Sequence, residues 1–204
     1  MLWLNRTDHL LLASASARRL TLLQQIRIPT KQWLVPSPAG PDEPRLAGET
    51  VKDYVCRTAH DKLTQALAHQ TVDVDATAQP ILTADTTVAM GQEIFGKPTD
   101  NAHARTMLTA LSGQTHEVLT AVCLHWQGRT YQALSQSRVR FAPLTPGTIE
   151  AYIQTQEPQG KAGAYAIQGM AASFVADLQG SFSGVMGLPI YETAQLLSEA
   201  GLIN

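Results

Sequence analysis

The sequence is short of charge, of cysteine and of long apolar runs, and each shortage removes a class of protein. Charged residues make up 16% of the 204 residues, against about 25% in an ordinary globular chain. A chain so poor in charge and 44% hydrophobic can bury enough apolar surface to offset its ordering entropy, so it does not read as disordered. Fifteen Lys and Arg face seventeen Asp and Glu, a formal net charge of −2, which leaves no basic excess for a nucleic-acid polymer. A phosphorylated small molecule needs only one local basic site and stays open. Two cysteines, Cys56 and Cys123, are too few for a disulfide framework or a four-thiolate zinc site; a reducing, cytoplasmic setting fits. The six histidines form no H-E-x-x-H pair, and no G-x-S-x-G, Walker A or G-x-G-x-x-G motif occurs. The Leu10-Leu11-Leu12 run before Ala13-Ser14-Ala15-Ser16-Ala17 imitates a secretory leader, but Asn5, Arg6, Asp8 and His9 interrupt it. It falls short of the roughly 7–15 apolar residues such a leader needs. No segment approaches the ~18 apolar residues of a membrane span, so neither secretion nor a membrane is expected.

What is present is an alternation of short apolar runs and helical periodicities. His9 to Ala13 predicts a buried strand, and Ser16 caps a helix carrying Leu20, Leu23 and Ile26 up to Pro29. Trp33 to Pro36 reads as a second strand, followed by a proline-rich loop that carries Asp42 and Glu43. Thr50 opens a long amphipathic helix with Val51, Tyr54, Val55, Ala59, Leu63 and Leu67 on one face. Ile81 to Ala84 predicts a strand ending at Asp85, and Val88 to Met90 pairs with Glu93 to Phe95 across Gly91-Gln92. Asp100 caps another helix, which Gly113 closes. Glu117 to Trp126 and Tyr131 to Phe141 pair across Gln127-Gly128, and Thr145-Pro146 starts a helix to about Thr155. Ser173 to Ala176 and Gly184 to Met186 read as strands before a last helix from Pro189 to Gly201. No internal repeat divides the chain, and the irregular mixture predicts an α/β fold with a mixed sheet.

Several positions carry chemistry, each with a plainer alternative. Ser14, Ser16, Arg18 and Arg19 lie between a strand and a helix start, where hydroxyls, free N–H groups and guanidinium groups suit a phosphate; a serine-capped helix with solvated arginines has the same wording. Asp85 at the carboxyl end of a strand is placed for a metal or a water, or for a turn. Asp42 and Glu43 complete an oxygen-ligand site with Asp85, or lie solvated in their loop. Lys62 on its helix is either a phosphate contact or a snorkelling side chain. Lys97, between Gly96 and Pro98, is a rigidly held charge. Lys161-Ala162-Gly163 and Ala164 to Gly169 put small residues and the Gln168 amide at a turn. Cys56 and Cys123 read as packing residues.

The order and wording of these pieces resemble the Maf family of nucleoside triphosphate pyrophosphatases, formerly described as septum-formation inhibitors. The resemblance rests on Leu12-Ala-Ser-Ala-Ser-Ala-Arg-Arg19, Asp42-Glu43, Asp61-Lys62, Ala84-Asp-Thr-Thr-Val88 and Gly96-Lys-Pro98. It continues through Leu111-Ser-Gly-Gln-Thr-His116, Gly160-Lys-Ala-Gly-Ala-Tyr-Ala-Ile-Gln-Gly169 and Gly187-Leu-Pro189, nearly the whole chain. It implies a single domain over residues 1–204: an elongated mixed sheet flanked by helices, in two lobes with the active site in the cleft between them. It also implies hydrolysis of a nucleoside triphosphate to the monophosphate and pyrophosphate with a divalent cation, Mg²⁺ or Mn²⁺. Asp85 is then the expected catalytic residue, acting on water directly or through the metal, with Glu43 its companion at the metal. Ser14, Arg19, Lys62 and Lys97 are expected to grip the triphosphate. Arg18, Thr86 and Gln168 match the dTTP/UTP branch; the branch acting on 7-methylguanosine triphosphate carries Trp, Gln and Glu there. Ala17, Asp61 and Thr87 depart from the usual family wording. The expected partner is the nucleotide, with no nucleic-acid polymer and no membrane, and a homodimer is compatible. Two alternatives stay open: the same reaction on another base, 7-methyl-GTP included, and a nucleotide-binding regulator of division with little turnover.

Overall fold

The computed structural model describes residues 4, 7–36, 44–69 and 79–203. Its first strand, β1 (Leu10–Ala13), is buried along three of its four residues, which is why it reads as unbroken leucine rather than as an alternation. Parallel neighbours β2 (Thr30–Trp33) and β3 (Ile81–Met90) flank it. The remaining pairings are antiparallel: β4 (Glu93–Phe95) turns back onto β3, and β5 (Thr115–Trp126), β6 (Arg129–Phe141) and β7 (Val175–Gln179) follow beyond it. The seven-stranded sheet runs β2-β1-β3-β5-β6-β7, with β4 attached to β3. It is mixed, as the sequence implies.

The period-2 alternation of the strands assigns their side chains to two faces. On one, Leu11, Ile81, Leu119, Ala121 and Cys123 pack under Val55, Ala59 and Leu63 of α2 (Val51–Ala68). The opposite face carries two separate apolar clusters. Toward one end, Leu12, Leu82, Ala84 and Val122 meet Leu23 of α1 (Ala17–Gln25) and Leu197 of α6 (Ile190–Glu199). Toward the other, Val88, Val118, Val139 and Phe141 meet α3 (Asn101–Leu111) and α4 (Pro146–Gln154). Between the clusters runs a polar row, Thr86, Thr120 and Ser135, aligned by register across β3, β5 and β6. The short helix α5 (Phe182–Met186) sits on this row, where the Thr120 hydroxyl donates to the Gly184 carbonyl at 2.8 Å. A Cβ at Gly184 would lie 3.3 Å from Ser135 Oγ, so the close approach favours glycine.

The helix starts marked in the sequence are capped as expected, with Ser16, Thr50, Asp100 and Thr145 each accepting an N–H of the first turn. Three strands differ. The second lies at Thr30–Trp33 instead of Trp33 to Pro36, because an edge strand of mixed polarity has no apolar run to announce it. The strand expected at Ser173 to Ala176 begins at Val175, after a tight turn of helix over Met170–Phe174. Residues 184–186 belong to α5, not to a strand; Ser181 caps it through the Gly184 N–H at 2.9 Å, and five residues are too few to display a helical period.

Candidate active site

β1 registers with β3 only at Ile81 and Leu82, and β4 only from Val88 onward. Residues 83–87 of β3 therefore have no register partner on that side among the described residues. Asp85 is central in β3 rather than at its end, but it lies just past the point where the parallel pairing with β1 stops. The strand alternation turns Asp85 toward α2 and Thr86 toward α1, so consecutive residues serve opposite faces.

On the α2 side, Asp85 Oδ1 forms an ion pair with Lys62 Nζ, and their side chains are 15% and 38% exposed. Thr87 Oγ1 donates to Oδ2 at a long 3.4 Å, and Thr58, whose hydroxyl donates to the Val55 carbonyl at 3.1 Å, lies near the same carboxylate. Burial by itself would push the Asp85 carboxyl up, yet Lys62, Arg19 and Thr58 together hold it below the ordinary carboxylate range. Asp85 is anionic at neutral pH.

On the other side, the Arg19 guanidinium is fixed at three points. Nε donates to the Gly187 carbonyl at 2.8 Å, one terminal nitrogen to Ser14 Oγ at 3.1 Å, and the other to Thr86 Oγ1 at 3.3 Å. Ser14 is held in turn by Gln32, whose amide donates to its carbonyl at 2.7 Å, and the Thr86 and Thr120 hydroxyls are hydrogen-bonded to each other at 3.0 Å. Gly187 ends α5 at φ 127, a conformation that favours glycine. Arg18 Nε donates to the Met186 carbonyl at 3.2 Å. Burial lowers both arginines, and for Arg19 the Asp85 carboxylate opposes that shift while Arg18 adds to it. Ser14, Arg19 and Thr86 thus form one hydrogen-bonded network, and the Lys62–Asp85 pair on the other face of β3 lies close enough for the Arg19 and Asp85 charges to act on each other.

Lys97 and Gln168 lie on loops beyond β4. The Gly163 N–H donates to the Gly96 carbonyl at 3.1 Å, joining the turn of Lys97 to the segment that leads to Gln168. Gly163 has φ 68, and a Cβ there would sit 3.0 Å from Val88. Lys97 and Gln168 are both exposed, and the Gln168 amide makes no side-chain hydrogen bond among the described residues. Lys161 donates to the Gln159 carbonyl at 3.0 Å; burial and the neighbouring Arg18 charge lower it, against Glu157. Asp42 and Glu43 lie outside the described residues. Among those described, no three His, Cys, Asp or Glu side chains gather as a metal cluster, and no helix is long and apolar enough to cross a membrane.

The sequence missed Thr58 and Thr120, which are ordinary threonines until the fold places them. Gly187 was marked only as part of a motif; its carbonyl is what orients Arg19. Cys56 and Cys123 are both free, and burial pushes the Cys123 thiol up to about 12, consistent with packing.

Comparison with known proteins places these residues in context. The family model for Maf-like proteins matches residues 9–200. A dTTP/UTP pyrophosphatase of Bordetella pertussis is 51% identical over 195 residues, covering 95% of this chain and 93% of the relative. Proteins of the same name from Bordetella avium and Nitrosomonas europaea are 48% and 49% identical, covering 98% and 94% of their own lengths.

Proposed function

The chain belongs to the Maf family, and from that premise we propose that it hydrolyses dTTP and UTP to the monophosphate and pyrophosphate. The observation that carries the reading is the pairing of the largely buried Asp85 carboxylate with Lys62 on one face of β3 and the Ser14–Arg19–Thr86 network on the other. Attack at the α-phosphorus places negative charge on oxygens that need fixed cations around them. Arg19 is oriented before substrate arrives, so little reorganisation is required there; Ser14, Lys62 and Lys97 complete the grip on the triphosphate.

Asp85 is the catalytic residue. Held below the carboxylate range, it is a weak proton acceptor while Lys62 is bound to it. A triphosphate that draws the Lys62 ammonium away relaxes this hold and raises Asp85 toward the range in which it takes a proton from water. The donor chemistry also fits a hard divalent cation, since Asp85 is anionic, its Oδ2 carries a hydrogen bond from Thr87 as long as 3.4 Å, and phosphate oxygens would provide further ligands. Asp85, with Glu43, would hold Mg²⁺ or Mn²⁺, which supplies neutralisation of phosphate charge when bound.

Gln168 reads the base. Thymine and uracil present an acceptor at O4 beside a donor at N3, and one amide pairs with both. Guanine presents two donors, which suit a carboxylate better. Arg18 and Thr86 complete the selection, Arg18 held by the Met186 carbonyl and Thr86 by Arg19. The protein acts as a single domain working in the cytoplasm.

The test is a panel of nucleoside triphosphates with Mg²⁺, scored for pyrophosphate against orthophosphate. Pyrophosphate, faster turnover of dTTP and UTP than of GTP, and loss of activity on chelation are expected. Orthophosphate as the first product places attack at the γ-phosphorus and removes the mechanism. Binding without turnover would return the regulator reading.

A further inference from the structure

The turn that carries Gln168 is held from both sides by two residues for which the reaction has no other use. Tyr152, near the end of α4, donates its hydroxyl to Glu157 Oε1 at 2.9 Å and accepts the Ala166 N–H at 3.2 Å. Glu157 accepts the Met170 N–H on Oε2 at 3.1 Å and the Ala171 N–H on Oε1 at 3.3 Å. Ala166 is two residues before Gln168 and Met170 two residues after it. One phenol and one carboxylate therefore close both ends of the turn, while the Gln168 side chain at its apex is exposed.

Two further features show that the arrangement is built in. A Cβ at Gly169 would collide with the Glu157 carboxylate, so a side chain at 169 would displace that carboxylate from the hydrogen bonds it makes here. The Tyr152 ring is locked edge-on against Phe174 at 5.0 Å, inside the cluster that packs α4 on the sheet. Rigidity thus passes from the core through Tyr152 to Glu157 and into the backbone on either side of Gln168.

We propose that Glu157 and Tyr152 are positioning residues for base selection, holding the 166–171 turn in the one conformation that presents the Gln168 amide to a pyrimidine. Neither touches substrate. The inference rests on the reading that Gln168 meets the base, and its test separates the two. An amide held in one orientation binds with less ordering cost than one on a loose turn. Loosening the turn should weaken recognition of the base and leave the chemistry at Asp85 alone.

The experiment measures kcat and KM for dTTP, UTP and GTP with Mg²⁺ on the full chain, comparing Tyr152→Phe and Glu157→Gln with Gln168→Ala. Each clamp variant should raise KM for dTTP about tenfold, the worth of one lost hydrogen bond network, with kcat changed far less. The preference for dTTP over GTP should narrow toward that of Gln168→Ala, and combining Tyr152→Phe with Gln168→Ala should add little to Gln168→Ala. If Gln168→Ala narrows the preference but the clamp variants lower all substrates alike, or lower none, the clamp is refuted. If Gln168→Ala leaves the preference unchanged, the underlying reading of the base falls, and the inference with it. Tyr152→Phe removes a single oxygen and keeps the ring contact, so it decides the matter should Glu157→Gln fail to fold.

Discussion

His116 gives this protein an acid-sensitive core, and the size of the effect follows from the geometry. Its ring on β5 is 1% exposed. Nε2 is bonded to the Tyr165 hydroxyl at 2.9 Å, and Nδ1 is buried with no partner among the described residues. Phe141 and Tyr165 stand edge-on to it with centroids 5.0 and 5.4 Å away. Protonation would place a charge and an unpaired Nδ1–H donor among these rings, and burial accordingly pushes His116 down to about 4 from its ordinary 6.5. Between those values the unfolded chain holds a proton at this position that the folded chain does not. Stability therefore rises with pH across the window: the contribution is fully present above 6.5 and drains away as pH falls toward 4. Integrated, the loss between pH 7 and pH 5 is about 2 kcal/mol, and about 3 kcal/mol once pH is below both values. Urea denaturation at pH 7 and pH 5 measures it, with His116→Phe as the reference. At pH 7 that variant costs about 1–3 kcal/mol, because the Tyr165 hydroxyl loses its partner, and residue 116 then has no proton to bind at any pH. The stability gap between native protein and variant should thus shrink by about 2 kcal/mol at the lower pH. His125, also lowered by burial, titrates equally in both and cancels. A gap that stays constant would show that residue 116 is not a buried neutral imidazole.

Two further outcomes test the site and its support. Asp85→Asn should keep the fold and the pyrophosphate product while losing at least about 10²-fold in kcat; a substitution with full metal-dependent activity would move the role to another carboxylate, Glu43 first. Gly163→Ala should lower stability by about 1–3 kcal/mol in thermal denaturation, since a Cβ there meets Val88 at φ 68. Unchanged melting would mean that the Lys97 and Gln168 loops are not pinned at this point.

Much of the architecture was legible along the chain because it is encoded locally. The leucines of β1, the alternation of β5 and the caps at Ser16, Thr50, Asp100 and Thr145 depend on neighbours within a few residues, and each element formed where those signals lay. The elements that were misplaced carry weak local signals: β2 is a four-residue edge strand, and α5 is a five-residue helix stabilised from outside by Thr120. The chemistry-bearing residues are equally legible as types and spacings, but the apolar run stops before Asp85 while the strand runs on to Met90.

Local sequence encodes which side chains are present to grip a phosphate, most of the strands and helices, and the family wording they share. Which of these side chains meet is set by packing. Ser14, Arg19, Lys62, Thr86 and Gly187 are scattered over most of the chain, and they converge because β1 stops short beside β3 and α5 docks on the polar row between two apolar clusters. The same holds for the Tyr152–Glu157 hold on the Gln168 turn. A threonine or a glutamate has no local signature for a partner many residues away; its role is set by burial and hydrogen-bond geometry, which exist only once the sheet has assembled.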